Sequence, residues 1–459
     1  MILFSGKILS DEELDNVLEQ LWNACLEAVS NRTEIAELVI DACGRVAEKI
    51  RGGAYDSILL PLLESGMFTR VQLDEAIAFF DKENLLLKYN TELGVLRAET
   101  TPNPSDEEVM SRGDKRDTID KRLEPLGILF HIAAGNAEGL PFFSVIEGLL
   151  AGNVNILKLP SMDDGISVML LHEMIKEEPG LAPYVCVLDV PSTNVKILKQ
   201  LADMADAIVV WGGDAAVSAA RSMASPETQI ISWGHKLSFA YLSAVAVDEI
   251  VNNESSNVGK AVVAKSDGQN HYERELYDLA HHICATNQLL CSSCQGIFVD
   301  TEDMAIVNMV AQRFLHILEE VAVDYPQEKI GVRGKVSISL YNEELESIYT
   351  GRKILRGKGV SVIVAEDSKL ELSYMFKNSW IKPLPDKNII KALKGKKGHL
   401  QTVGLICADG ERDELAGMFT KAGLTHIARP KNMSQMLPGG THDGEYPLRR
   451  YSRIVEVER

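Results

Sequence analysis

Hydrophobic positions near the start of the chain recur at helical spacing. In residues 12–30 they return every three or four positions, which predicts one apolar face of an amphipathic helix, with Asp11 as its cap. The same spacing predicts helices over 34–51, 56–65 and 71–83. This part of the chain shows no motif with obvious chemistry, so we interpret it as a packing or oligomerisation module.

From residue 123 onward, short apolar runs alternate with helical patterns. The runs are apolar throughout, which is typical of parallel strands that are buried on both faces of a sheet. The predicted strands are 127–132, 154–159, 184–190, 207–211 and 229–231, and the predicted helices are 141–150, 165–176, 193–202 and 214–223. This pattern predicts a doubly wound α/β domain, in which ligands bind beyond the carboxyl ends of the strands.

A second α/β segment begins at about residue 236. Its predicted strands lie near 239–247, 261–264, 296–299, 337–340, 361–364 and 403–407, and its predicted helices at 270–284, 302–323 and 411–422. The chain ends in an alternating strand, YSRIVEVE, which we expect to pair elsewhere in the protein or with another chain. The predicted divisions are a helical segment with an exposed arm (1–122), an α/β domain (123–234), a second α/β domain (235–432) and a return tail (433–459).

The composition excludes several classes of protein. Lys and Arg number 47 and Asp and Glu 66, so the net charge is −19 and nucleic acid or an anionic membrane would repel the chain. No uncharged apolar run reaches the roughly 18 residues of a membrane span, and the first residues lack a signal-peptide pattern. The seven cysteines are unevenly spaced, unlike a secreted disulfide framework. We therefore expect a cytoplasmic protein.

The segment HHICATNQLLCSSCQGIFV, residues 281–299, contains three cysteines and two histidines. Residue types alone leave a zinc site, a CxxC redox pair and a nucleophilic Cys291 open, beside plain core cysteines. The ligand spacing is cramped for zinc, and the order of helix, loop and strand is the reverse of a redox CxxC. A nucleophilic thiolate in this loop would form a thioester, with loop amides available to an oxyanion.

The ends of three predicted strands, and the turns that follow them, offer further chemistry. Asn136 lies in a Gly-rich turn, where its amide either faces a reacting carbonyl or bonds its own backbone. Lys158 ends a strand, where a cation suits a ribose or a phosphate. Gly212 and Gly213 stand between a strand and a helix, where bare backbone can approach a pyrophosphate. The usual GxGxxG fingerprint is missing, and Asp214 also fits a simple helix cap.

These motifs, in this order, resemble those of the aldehyde dehydrogenase superfamily and, more narrowly, those of the acyl-CoA reductase (LuxC) family. The superfamily resemblance spans about residues 120–300, and the narrower one extends through HLQTVGL at 399–405 and THDG at 441–444. It implies an aldehyde-dehydrogenase-like α/β fold: two doubly wound domains with a helical N-terminal segment and a C-terminal strand tail. It also implies a homo-oligomer, with the return tail taking part in oligomerisation.

The resemblance assigns catalytic roles residue by residue. Cys291 matches the nucleophile, seven residues before Phe298 of the next strand, and Asn136 matches the amide of the oxyanion hole. Ser232 stands where hydrolytic members have the Glu that activates water, so the resemblance implies slow hydrolysis of an acyl-enzyme. The E-x-F-G-P motif, which positions the nicotinamide ribose, has no clear match.

The resemblance also assigns cofactor contacts within 123–234, the implied NADP-binding domain. Ser161 stands where NAD-binding members have a Glu that holds the ribose, and the loss of this carboxylate favours NADP because it removes repulsion of the 2′-phosphate. The implied cofactor residues are Lys158, Ser161, Gly212, Gly213, Trp233 and Gly234.

The function implied is NADPH-dependent reduction of an acyl thioester, a fatty acyl-CoA, to an aldehyde through an acyl-Cys291 intermediate, without a metal. The partners are a small acyl substrate, the nicotinamide cofactor and an acyl-transferring enzyme. Alternatives are a CoA-acylating aldehyde dehydrogenase and an acyl-phosphate reductase, although no basic loop near Cys291 is evident in the sequence. A non-catalytic zinc-binding scaffold is the alternative of another class.

Overall fold

The computed structural model describes residues 1–64, 70–94, 119–133, 139–160, 165–257, 271–326, 328–435 and 437–458. They form two compact units. The first comprises Met1–Gly234 and Met436–Arg459, and the second His235–Gln435. Asn136, Ser161, the predicted strand 261–264 and most of the predicted arm lie outside the described residues.

The first unit contains a seven-stranded sheet and a separate ribbon. Its strands are β1 (Ile2–Phe4), β2 (Lys7–Leu9), β3 (Ile119–Pro125), β4 (Ile128–Ile132), β5 (Val154–Lys158), β6 (Val185–Leu188), β7 (Ala207–Gly212) and β8 (Gln229–Gly234). The order in the sheet is β2-β1-β6-β5-β4-β7-β8. Strands β4 to β8 run parallel, whereas β1 is antiparallel to both of its neighbours. The two N-terminal strands were not expected from the sequence.

The longer helices described in the first unit are α1 (Leu14–Ser30), α2 (Ala36–Arg51), α3 (Asp56–Glu64), α4 (Arg70–Phe79), α5 (Lys82–Tyr89), α6 (Leu140–Leu150), α7 (Ile166–Glu177), α8 (Val195–Met204) and α9 (Asp214–Met223). Eight of these nine lie close to predicted helices, whereas α5 was not predicted as a separate helix. The predicted cap of α1 is wrong. Asp11 opens a short 3-10 turn, and the cap contact is made by the backbone N–H of Ser10, which donates to the Glu13 carboxylate at 3.1 Å.

The C-terminal strand pairs within its own unit. After the short helix α16 (Pro447–Arg450), strand β16 (Ser452–Glu458) runs antiparallel to β3, with Ser452 opposite Pro125 and Glu458 opposite Ile119. The partner that the sequence left open is therefore the segment that leads into β4.

The second unit contains another seven-stranded sheet, in the order β11-β12-β13-β10-β9-β14-β15. Its strands are β9 (Leu237–Leu242), β10 (Cys294–Val299), β11 (Lys353–Arg356), β12 (Ser361–Val364), β13 (Asn378–Pro383), β14 (Leu400–Ile406) and β15 (His426–Ala428). All pairs are parallel except β11 with β12. Functional residues can therefore cluster at either of two edges of this sheet. One edge is formed by the amino ends of the parallel strands and the other by their carboxyl ends.

Helices of the second unit are α10 (Ala244–Asn257), α11 (His271–Thr286), α12 (Met304–Ala322), α13 (Ile330–Thr350), α14 (Ile389–Leu393) and α15 (Arg412–Ala422). The predicted strand 337–340 is wrong, because these residues lie inside α13. The predicted strand 239–247 ends at Leu242, and α10 follows it. Across the described residues, no helix is long and apolar enough to cross a membrane.

Candidate active site

The loop that holds Cys291 connects α11 to β10 and is closed by its own hydrogen bonds. The Ser293 backbone N–H donates to the Leu290 carbonyl at 2.9 Å, and the Leu290 N–H donates to the Ser293 hydroxyl at 3.0 Å. From the neighbouring strand β9, the Ser238 hydroxyl donates to the Cys291 carbonyl at 2.7 Å. The backbone of Cys291 is thus fixed from both sides, as a preorganised site requires.

Two consecutive residues before this loop have left-handed backbones. Asn287 and Gln288 have φ values of 47° and 61°, which are uncommon for residues other than glycine. Two hydrogen bonds join Gln288 to β10. The Gln288 side-chain amide donates to the Cys294 carbonyl at 3.0 Å, and the Gln288 backbone carbonyl accepts from the Gln295 side-chain amide at 3.1 Å. Such strained backbone persists only where the surroundings determine it, and it clusters at functional sites.

Solvent access separates Cys291 from the other cysteines. All seven lie in the described residues without a disulfide, and six are buried whereas Cys291 is partly exposed. Burial raises the pKa of Cys284 and of Cys294 to about 12, so both are protonated at neutral pH. Because the thiolate is the nucleophile, these neighbours are poor candidates and Cys291 is the accessible one.

The histidines of the segment have other partners. The buried His282 accepts the Cys294 backbone N–H on Nε2 at 3.1 Å, and burial lowers its pKa to about 4. His281 contacts the Tyr325 hydroxyl through Nδ1 at 3.1 Å. Within the part of the chain that is described, no three His, Cys, Asp or Glu side chains converge on a metal-sized site. The zinc interpretation therefore gains no support there.

In the first unit, Lys158 is the last residue of β5. It is 5% exposed, its ammonium donates to the Ser192 hydroxyl at 3.0 Å, and burial lowers its pKa. The position is the carboxyl end of a central parallel strand, where open α/β sheets bind their ligands. Of the predicted contacts near it, Ser161 lies outside the described residues.

Glycines line the carboxyl ends of two neighbouring strands. Gly212 ends β7 with φ +152° and is followed by Gly213, which precedes α9, and Gly234 ends β8. Among the residues that the structure describes, a Cβ placed on Gly213 or on Gly234 would meet no atom within 4 Å. The backbone is therefore open to a close ligand at both positions, and together with Lys158 it fits an anionic dinucleotide.

The side chain of Trp233 is fully engaged in packing. It is 3% exposed, its indole N–H donates to the Tyr451 hydroxyl at 3.2 Å, and the Arg450 guanidinium lies 4.7 Å from its ring. His442, from the THDG motif, stands edge-on to Trp233 and Trp211 with centroid distances of 4.8 and 5.2 Å. Any ligand contact of Trp233 would thus use its backbone.

Asn153 supports the candidate site through hydrogen bonds to backbone groups, a role that was not predicted from the sequence. Its side-chain oxygen accepts the Gly127 N–H at 2.9 Å, and its amide donates to the Gly148 and Tyr451 carbonyls at 3.2 and 3.0 Å. It therefore joins the start of β4, the end of α6 and the C-terminal segment. The signal was present as the Asn of the Ala-Gly-Asn motif, directly before the strand that ends in Lys158.

A sequence profile of the acyl-CoA reductase (LuxC) family matches residues 38–454. The chain belongs to this family. Among curated relatives, the long-chain acyl-protein thioester reductase of Aliivibrio fischeri is 24% identical over 351 residues, 74% of this chain and 65% of that protein. That of Photorhabdus laumondii subsp. laumondii is 25% identical over 352 residues, 73% and 64% of the two chains. The match thus spans about 65% of the length of the first relative.

Solved structures show the fold. The NAD-dependent benzaldehyde dehydrogenase of Corynebacterium glutamicum matches with a TM-score of 0.61 and 13% identity, over 98% of this chain and 91% of that one. The lactaldehyde dehydrogenase of Escherichia coli matches with a TM-score of 0.61 and 12% identity, over 97% and 91%. A 3,6-anhydro-L-galactose dehydrogenase matches with a TM-score of 0.65 and 12% identity, over 100% and 99%. The expected aldehyde-dehydrogenase-like fold and the family resemblance are confirmed.

Proposed function

We propose that this protein reduces an acyl thioester to an aldehyde through a covalent acyl-Cys291 intermediate. One observation supports this most strongly: in a member of the acyl-CoA reductase family, Cys291 alone among the seven cysteines is not buried, and its loop is held rigidly. The activity of the relatives is named for acyl-protein thioesters and that of the family for acyl-CoA. We take a fatty acyl-CoA as the donor.

The Cys291 thiolate attacks the carbonyl carbon of the thioester, and the donor thiolate leaves and takes a proton from solvent. The nicotinamide cofactor, when bound, supplies the hydride that reduces the acyl-Cys291 thioester. The resulting hemithioacetal oxyanion collapses, the C–S bond breaks, and the aldehyde leaves with Cys291 restored as a thiolate. The Cys291 backbone N–H and, by the resemblance, the Asn136 amide stabilise each oxyanion, about 10²–10³-fold per donor.

The first unit is proposed to hold the cofactor. Lys158 ends β5 as a cation, and the open backbone at Gly213 and Gly234 fits a pyrophosphate. Gly212, Trp233 and Ser161 complete the set that the resemblance assigns. Since Ser161 replaces a ribose-binding Glu, NADPH is the proposed cofactor.

The test is aldehyde formation from a panel of acyl-CoAs, assayed with NADPH and NADH separately, for the natural chain and Cys291→Ala. We expect a higher kcat/KM with NADPH and no turnover by the Ala variant. Equal rates for the two proteins would contradict the covalent route. A Ser232→Glu variant sharpens the assignment, because restoring a general base should add hydrolysis of the acyl-enzyme to free acid.

A further inference from the structure

A lysine-rich stretch stands out against the charge of the chain. Residues 387–408 contain five lysines and no Asp or Glu, although the whole chain has a net charge of −19. Residues 394–399, here called the lysine loop, have the sequence KGKKGH and connect α14 to β14. Lys394 and Lys397 are exposed and Lys396 is partly exposed. Such a local positive field attracts anions that the rest of the surface repels.

The fold brings the lysine loop to the edge of the sheet that carries Cys291. Strands β14, β9 and β10 are adjacent and parallel, so their amino ends lie at one edge. The lysine loop directly precedes β14, and the loop of Cys291 directly precedes β10. Strand β9 lies between them and contacts both neighbours: the Ser238 hydroxyl donates to the Cys291 carbonyl at 2.7 Å and accepts the N–H of Thr402, in the strand that follows the lysine loop, at 3.1 Å.

The lysine loop is anchored at its end and open along its backbone. The Lys236 ammonium donates to the Gly398 carbonyl at 2.8 Å, and the Leu237 N–H donates to the His399 carbonyl at 2.6 Å. A Cβ on Gly395 or on Gly398 would meet no atom of the described residues within 4 Å. A ligand can therefore approach the backbone between the lysines without displacing a side chain.

We propose that the lysine loop binds the phosphate groups of the acyl donor, a CoA thioester. This inference rests on the proposed function. The pantetheine arm separates the thioester from the phosphates, so a phosphate site at the same edge, away from the thiol, suits a donor whose carbonyl reaches Cys291. Lysine ammonium groups and exposed backbone N–H groups are ordinary phosphate ligands. The site would select CoA thioesters over thioesters that lack phosphate.

The test compares two donors with one acyl chain, acyl-CoA and acyl-pantetheine, which lacks the phosphates. The variant is K394Q/K396Q/K397Q, and the matched control is K369Q, an exposed lysine that follows the carboxyl end of β12, at the opposite edge of the sheet. We expect the triple variant to raise KM for acyl-CoA about tenfold with kcat unchanged, and to leave acyl-pantetheine unaffected. Added salt should raise KM for acyl-CoA in the natural chain more than in the variant.

Three results would overturn the inference: an unchanged KM for acyl-CoA, an equal loss with both donors, or a rise in KM for NADPH in place of that for the donor. Reduction of an acyl-protein alone, impaired by the triple variant, would also overturn it. If the natural chain reduces no acyl thioester of any kind, the proposed function fails instead. Calorimetric titration with adenosine 3′,5′-bisphosphate then tests phosphate binding by the lysine loop independently of activity. We expect binding to the natural chain and to K369Q but not to the triple variant.

Discussion

The two sheets of this protein hold their candidate chemistry at opposite edges. In the first unit, Lys158, Gly213 and Gly234 lie at the carboxyl ends of parallel strands. In the second unit, Cys291 and the lysine loop lie at the amino ends. The general rule for open α/β sheets places ligands beyond the carboxyl ends. It therefore anticipates the proposed cofactor contacts but not the nucleophile, which depends on loop contacts such as the bond from Ser238.

This difference predicts that a substitution can impair the function of one edge without impairing that of the other. Changes at the amino edge of the second unit should stop acyl transfer and leave cofactor binding intact. Changes at the carboxyl edge of the first unit should do the reverse. The proposed acyl transfer from CoA and the proposed binding of NADPH are therefore to be measured separately for each variant.

The largest effect is expected for Cys291→Ala. Loss of the nucleophile should lower aldehyde formation by more than about 10³-fold, because no other described group takes its place in acyl transfer. NADPH affinity, measured by fluorescence titration, should be unchanged. Cys294→Ala is the matched control, since this thiol is buried and protonated. Loss of activity in the control with a folded protein would point to the wrong cysteine.

Acid should destabilise both units through one buried histidine each. Burial lowers the pKa of His131 and of His282 to about 4, from an ordinary value of 6.5. Between pH 6.5 and 4 the unfolded chain binds more protons than the folded one, so the free energy of unfolding falls as the pH falls, by roughly 3 kcal/mol per histidine. Urea unfolding at pH 7 and pH 5 measures this. A His282→Gln variant with an unchanged pH slope would contradict it.

Lys158→Met should act at the first edge alone. It keeps the buried stem and removes the charge, so KM for NADPH should rise about tenfold, equivalent to ~1.4 kcal/mol, while acyl transfer without cofactor is unchanged. Lys199→Met, an exposed lysine of α8 that pairs with Asp203, is the control. If Lys158→Met slows acyl transfer as much as it weakens NADPH, the separation of the two edges is wrong.

The smallest effect is expected for Ser238→Ala, which removes one bond to the Cys291 carbonyl and one bond from the Thr402 N–H in β14. One neutral hydrogen bond contributes about 1 kcal/mol, so acyl transfer should slow a few-fold, with NADPH affinity unchanged. Ser243→Ala is matched to it: Ser243 follows the same strand at the other edge and donates to Glu411 at 2.8 Å. Equal effects of the two variants would show a general loss of stability and not a positioning role.

Much of the fold followed from the sequence because its strands are apolar. The predicted helix 214–223 and the predicted strand 361–364 coincide with α9 and β12. Strand β13, next to β10 in the sheet, was missed because it contains buried polar residues. Its Lys382 is fully buried and bonds the Asp367 and Glu371 carboxylates at 2.7 Å each, partners that no local pattern reveals. The wrong strand prediction at 337–340, inside α13, came from isolated β-branched residues, which are typical of strands.

The candidate site, too, could be predicted only in part from the sequence. Cys291 and Lys158 were singled out by residue type, local pattern and family resemblance, and their roles stay predictions. The supports of the site could not be read locally, because Ser238 lies 53 residues from Cys291 and Tyr451 lies 298 residues from Asn153. For the same reason the sequence showed no basic loop near Cys291, although the sheet order brings residues 394–399 to its edge.

The central claim is that Cys291 becomes acylated. The most direct measurement is incubation of the natural chain with a labelled acyl-CoA in the absence of cofactor, followed by peptide mass spectrometry. We predict one acyl group per chain on the peptide that contains Cys291, released as aldehyde when NADPH is added. An acyl group on Cys294, or aldehyde formation with no acylated cysteine at any time, would contradict the account.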